Sequence, residues 1–75
     1  MNKNRRQQLR KWIEKIDVIK SELELILSDE EEYFDSMPEN LQGSSNGMNS
    51  EEAIDKMNEA IESIEEAVES IEEII

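Results

Sequence analysis

The stretch YFDSMPENLQGSSNGM, residues 33–48, decides the fold. It holds the only proline, both glycines and two adjacent aromatics, and it interrupts two otherwise continuous charged, heptad-patterned segments. Pro38 disfavours helical dihedrals at the residue before it, so a helix arriving from the N-terminal side stops near Met37. Proline also suits the first position of a new turn, which makes PENLQ one short helical turn with Gly43 as its stop. GSSNG then reads as a flexible polar link. Two helices joined this way lie antiparallel.

Upstream, residues 5–36 predict one long helix. Leu9, Trp12, Ile16, Ile19, Leu23, Ile26, Tyr33 and Met37 recur three and four apart, a heptad seam with Glu30 as its one charged position. Ile13, Leu27 and Phe34 each fall one place later and widen the stripe, with Val18 and Leu25 further round. Such a stripe is wider than one facing helix covers.

Downstream, residues 50–75 predict a second helix, leaving 37–49 as the turn. The near-repeats AIDKMNE, AIESIEE and AVESIEE place Ile54, Met57, Ile61, Ile64, Val68, Ile71 and Ile75 on one seam. Ala53, Ala60 and Ala67 each sit one place before a seam position and allow close approach on that flank. Asn49 with Glu52 has the spacing of a capping box, and Ser50 is an equally good cap. At 1.5 Å per residue the helices measure roughly 45–50 Å and 40 Å.

Charge agrees with the antiparallel arrangement. Residues 1–28 carry seven basic and four acidic side chains, and residues 50–75 one basic and ten acidic. The basic start of the first helix therefore comes beside the acidic end of the second. Both placements oppose their own helix dipoles, so pairing between elements or molecules explains them better than local electrostatics.

The expected architecture is all-α: an antiparallel two-helix hairpin forming a single domain and dimerising into a four-helix bundle. The dimer is expected because a 75-residue chain has a marginal core of its own. Without cysteine, no disulfide or thiolate zinc site compensates.

Histidine is also absent, which removes the commonest general base, metal ligand and nucleophile-activating partner. No Gly-rich phosphate loop is present. The composition predicts a protein that is not an enzyme and carries neither cofactor nor metal. A net charge of −12 argues against direct DNA or RNA binding. No apolar run approaches a membrane span, and no signal-peptide core follows the basic start, so no membrane association and a cytoplasmic location are expected.

Four features could carry function. The tip, Tyr33, Phe34, Asp35, Met37, Pro38, Glu39, Asn40, Leu41 and Gln42, either plugs the end of the bundle or forms a recognition surface for a partner. The run Asp29–Glu32 could attract a cation, although a helix fans its side chains apart and a solvated patch is the plainer reading. The acidic face from Glu59 to Glu73 either keeps the protein soluble or mimics nucleic-acid phosphates. The basic start, with Arg5, Arg6 and Arg10, either pairs with the acidic end of the second helix or clasps an anion such as a nucleotide. Trp12 is expected in the core, with stacking on a base as the alternative.

The core YFDSMPENLQGS, preceded by DEEE and followed by an acidic heptad helix, resembles a group of short uncharacterised proteins encoded by bacteria, phages and prophages. The likeness covers nearly the whole chain, its specific part being Tyr33 to Ser44. The chain departs from the group's pattern at Ser45 and Asn46. The resemblance implies a mobile-element setting and a partner that is a host or defence-system protein. The expected function is therefore an interaction protein that inhibits or adapts another protein through residues 33–42 and the acidic second helix. The alternatives are an oligomeric sponge for a small nucleotide signal and a nucleic-acid mimic.

Overall fold

The structure, a computed structural model, describes residues 1–75. The chain is all helical: α1 spans Lys3–Asp35, α2 Glu39–Gln42 and α3 Ser45–Glu72. It forms a rod of 58 × 16 × 13 Å, two helices wide, with α1 packed along α3. Cross-helix bonds fix the antiparallel direction. Arg10 Nη2 donates to the Ile75 carbonyl, Lys20 Nζ lies 3.8 Å from Glu65, and Ser50 Oγ donates to Glu30 at 2.7 Å.

The expected break falls where the proline demands it. The backbone N–H of Arg5 donates to Asn2 Oδ1 and caps the start of α1. Helix α1 ends at Asp35, two residues before Met37, and Pro38 is the N-cap of the single turn of α2 and not, as expected, its first residue. Gly43 follows α2 with φ of −85°, an ordinary right-handed value. Its use as a stop needs no left-handed backbone.

The segment 43–49 is not the flexible link expected from GSSNG. Helix α3 begins at Ser45, five residues before the predicted start, and Ser44 is its cap. The Ser44 hydroxyl accepts from the N–H of Gly47 and donates to the Leu41 carbonyl, tying α3 to α2. Asn49 and Ser50 therefore lie inside the helix, and Ser50 is free to turn toward α1.

Along α3 the predicted seam is the observed one, extended back by Gly47 and Ser50. Along α1 the seam is rotated from the expected one. Leu9, Ile13, Ile16, Lys20, Leu23, Leu27, Glu30, Phe34 and Met37 face α3, spaced four and three apart. Trp12, Ile19, Ile26 and Tyr33 are exposed, so Trp12 is not a core residue of the hairpin. The reason lies in the width of the stripe. Two overlapping heptads share Leu9, Ile16, Leu23, Glu30 and Met37, and a single α3 covers only one of the two flanks. The covered flank includes Lys20, whose alkyl stem lies along the seam while its ammonium reaches Glu65.

The hairpin buries little. Leu27 and Ile61 are its only buried hydrophobic side chains, 8% and 9% exposed.

Candidate functional site

The tip is closed by hydrogen bonds of its own. The last carbonyls of a helix lack intrahelical donors. Gln42 supplies one: its side-chain amide donates to the carbonyls of Phe34 and Met37, at 3.3 and 3.4 Å. This amide thus caps α1 and holds α2 against it, which assigns Gln42 a structural task. Phe34 and Met37 are half-buried beneath the turn, whereas Tyr33, Asp35, Pro38, Glu39, Asn40 and Leu41 are exposed. Phe34 and Met37 thus close the end of the hairpin, and the exposed residues face outward.

Gly47 makes the turn possible by its size. It is buried, and a Cβ built on it would strike the backbone of Gln42, with the carbonyl carbon at 2.5 Å and Cα at 2.7 Å. No glycine here has positive φ. Close approach of α3 to α2, and not backbone freedom, requires glycine at this position.

Beside the tip, α1 and α3 frame an open groove of about 460 Å³. Glu31 and Asp35 from α1 and Glu51 and Asp55 from α3 form its walls, and Phe34 and Ile54 lie between them. Sequence reasoning placed Asp35 and Phe34 at the tip and Glu31 in the Asp29–Glu32 run, but missed Glu51, Ile54 and Asp55. Their convergence depends on the register between the helices, which neither helix carries alone. A second, smaller groove of about 260 Å³ lies on the same side of the rod, lined by Asp17, Lys20, Glu65, Val68 and Glu72.

The run Asp29–Glu32 does not act as a unit. Glu30 turns inward and accepts from the Ser50 hydroxyl, while Asp29, Glu31 and Glu32 are exposed. No group of three or more carboxylates in the chain is arranged to hold a metal ion.

At the open end, the predicted pairing of the basic start with the acidic end of α3 is largely absent. Arg10 donates to the Ile75 backbone carbonyl, and Lys3, Arg5, Arg6 and Lys11 are exposed without an ion pair. The carboxylates from Glu59 to Glu73 are exposed. No helix is long and apolar enough to cross a membrane.

Fold and site define a heptad-packed helical hairpin with a hydrogen-bonded, interrupted tip and an acidic groove beside it. Comparison with protein-family models, with curated proteins and with solved structures finds no match for the chain.

Proposed function

We propose that this chain is a non-enzymatic interaction protein that binds another protein at the tip end of the hairpin, through residues 33–42 and the acidic face of α3. The groove is the observation that carries the reading. Four carboxylates from two helices surround Phe34 and Ile54, which suits a Lys or Arg side chain with its head among the acids and its stem on the apolar floor. The tip is ordered by its own hydrogen bonds, so a partner does not have to order it on binding. The resemblance of Tyr33–Ser44 to mobile-element proteins makes a host or defence-system protein the partner class, met in the host cytoplasm and inhibited or adapted by the contact.

The acting form is a homodimer, two hairpins making a four-helix bundle. A chain with two buried hydrophobic side chains lacks the core that chains of this size need for independent stability.

Immobilised protein challenged with bacterial lysate tests the binding reading when paired with the triple variant Asp35→Asn, Glu51→Gln, Asp55→Asn. The wild type should capture a discrete protein in a salt-sensitive manner. The variant should capture it at least tenfold less well, with unchanged circular dichroism. Equal capture by both would remove the groove from the account.

The unpaired cations at the open end favour a second reading, an oligomeric sponge for a small nucleotide. Arg5 and Arg6 would carry it, since Arg10 and Gln42 already have partners within the chain. A rise in melting temperature with cyclic or linear nucleotides, lost in the Arg5→Ala, Arg6→Ala variant, would select this reading over the first.

A further inference from the structure

The side of the rod opposite the two acidic grooves carries one apolar row on each helix, bordered on α1 by Lys15, Glu22 and Asp29. On α1, Trp12, Ile19, Ile26 and Tyr33 repeat every seven residues, each one place before a residue facing α3, and all four are exposed. Ala53, Ala60 and Ala67 of α3, with Ile74 just past its end, repeat every seven residues in the same relation to Ile54, Ile61, Val68 and Ile75. Both helices are right-handed and they run antiparallel, so both rows flank the seam on the same side. The nine acidic residues of α3, and Glu73 just past its end, avoid that side. Each occupies one of the three heptad positions on the outer and groove-facing surface, and the positions beside the alanine row hold Asn49, Lys56, Ser63 and Ser70. A solvated helix has no reason to segregate its charges this way.

The uncovered area matches an interface. The chain exposes 5745 Å², whereas a compact protein of 8.8 kDa exposes about 4,800 Å². The excess, on the order of 900 Å², is close to the ~800 Å² per partner of a standard protein interface.

Symmetry and charge identify the occupant. The midpoint of the α1 row falls between Ile19 and Ile26, and that of the α3 row between Ala60 and Ala67. The bonds from Glu30 to Ser50 and from Lys20 to Glu65 bring these midpoints to within about one helical turn of the same level. A two-fold axis there, lying in the face and perpendicular to the rod, sets Ile19 against a second copy's Ile26, Trp12 against its Tyr33, and Ala60 against its Ala67. The other two-fold, along the rod, would bring the two tips together. Residues 29–56 carry nine acidic side chains and one basic, so that arrangement places like charges side by side within a Debye length of ~8 Å. The open end, residues 1–15 with 65–75, carries six basic and six acidic side chains and accepts a neighbouring tip without that repulsion.

We infer that two copies pair through the Trp12–Ile19–Ile26–Tyr33 face in antiparallel orientation, tips at opposite ends. The inference rests on the dimer proposed above, specifies its face and direction, and gives Tyr33 to that face, leaving residues 34–42 and the groove to the other partner. It makes the assembly bivalent, with one acidic groove at each end.

A nitroxide spin label on Gly43→Cys tests it. The chain has no other cysteine, and a Cβ at Gly43 meets nothing within 4 Å. Light scattering should give twice 8.8 kDa. Pulsed dipolar spectroscopy should give a tip-to-tip distance on the order of 45 Å, from 1.5 Å per residue to either side of the axis. The Ile19→Glu, Ile26→Glu variant should lose the dipolar signal and the dimer mass. A monomer of full helicity would overturn the dimer reading itself. A dimer with labels closer than about 25 Å, the scale of adjacent helix pairs, would keep the dimer and overturn the orientation. A dimer that survives the double Glu variant would overturn the face.

Discussion

Replacing Gly47 by alanine should destabilise the protein although alanine is the better helix former. In an open helix interior the exchange gains about 1 kcal/mol. Here the new methyl would lie against the Gln42 carbonyl oxygen, with the carbonyl carbon at 2.5 Å and Cα at 2.7 Å. Carbon–carbon contact is near 3.5–4.0 Å, so the backbones must part by about 1 Å. The joint has little slack. Ser44 bonds to Leu41 through both its N–H and its hydroxyl, and Gln42 is held to Phe34 of α1 and to Met37 just past it by one bond each. Overpacking of this kind costs about 1–3 kcal/mol, and separating α2 from α3 weakens the Gln42 bonds as well. With the propensity gain small at the first turn of α3, the net loss should be about 1–3 kcal/mol. For a chain of this length each kcal/mol is worth about 4–8 °C in melting temperature. Thermal denaturation followed at 222 nm, at fixed protein concentration, measures it. Gly43→Ala is the control: its φ of −85° suits alanine and nothing lies within 4 Å, so it should be neutral or stabilising by up to ~1 kcal/mol. A Gly47→Ala protein melting at or above the wild type would refute the close-approach argument.

Three further outcomes follow from the packing. Ser50 is 3% exposed and bonded to Glu30, so Ser50→Ala should cost about 1–3 kcal/mol in urea denaturation by leaving a half-buried carboxylate without its donor. Leu27→Ala should cost about 2–5 kcal/mol, whereas Leu25→Ala, two residues away but 68% exposed, should change stability by less than about 0.5 kcal/mol. Gln42→Ala should cost about 1 kcal/mol and speed amide hydrogen exchange across residues 34–43 while leaving the middle of α1 and α3 protected.

Much of this architecture is legible in the residues, and the parts that are not have identifiable causes. Pro38 and the heptads of α3 act locally, so the break, the turn PENLQ and the seam from Ile54 to Ile75 follow from the chain alone. The α1 seam does not. Its two candidate flanks are both apolar, and local pattern favours the one with Ile19 over the one with Lys20. Only contact with α3 selects the latter, through Lys20 to Glu65 and Glu30 to Ser50. The start of α3 is hidden for a related reason. GSSNG has the composition of a link, but Ser44 acts as a cap and Gly47 as a close-packing residue once α2 lies against them. The groove at the tip has no sequence signature, because Glu31 and Asp35 stand about twenty residues from Glu51 and Asp55 and resemble the other carboxylates of a chain that has twenty.

The hairpin itself is tested most directly by the double variant Glu30→Cys, Ser50→Cys, treated at low concentration with a short flexible bismaleimide. These side chains are hydrogen-bonded across the helices in the wild type. The variant should crosslink within one chain, migrate as a compact single chain, and melt higher when crosslinked than when untreated. Crosslinks formed only between chains would mean that α1 and α3 do not fold back on each other in solution, and the seam, the groove and the dimer face built on that packing would all be contradicted.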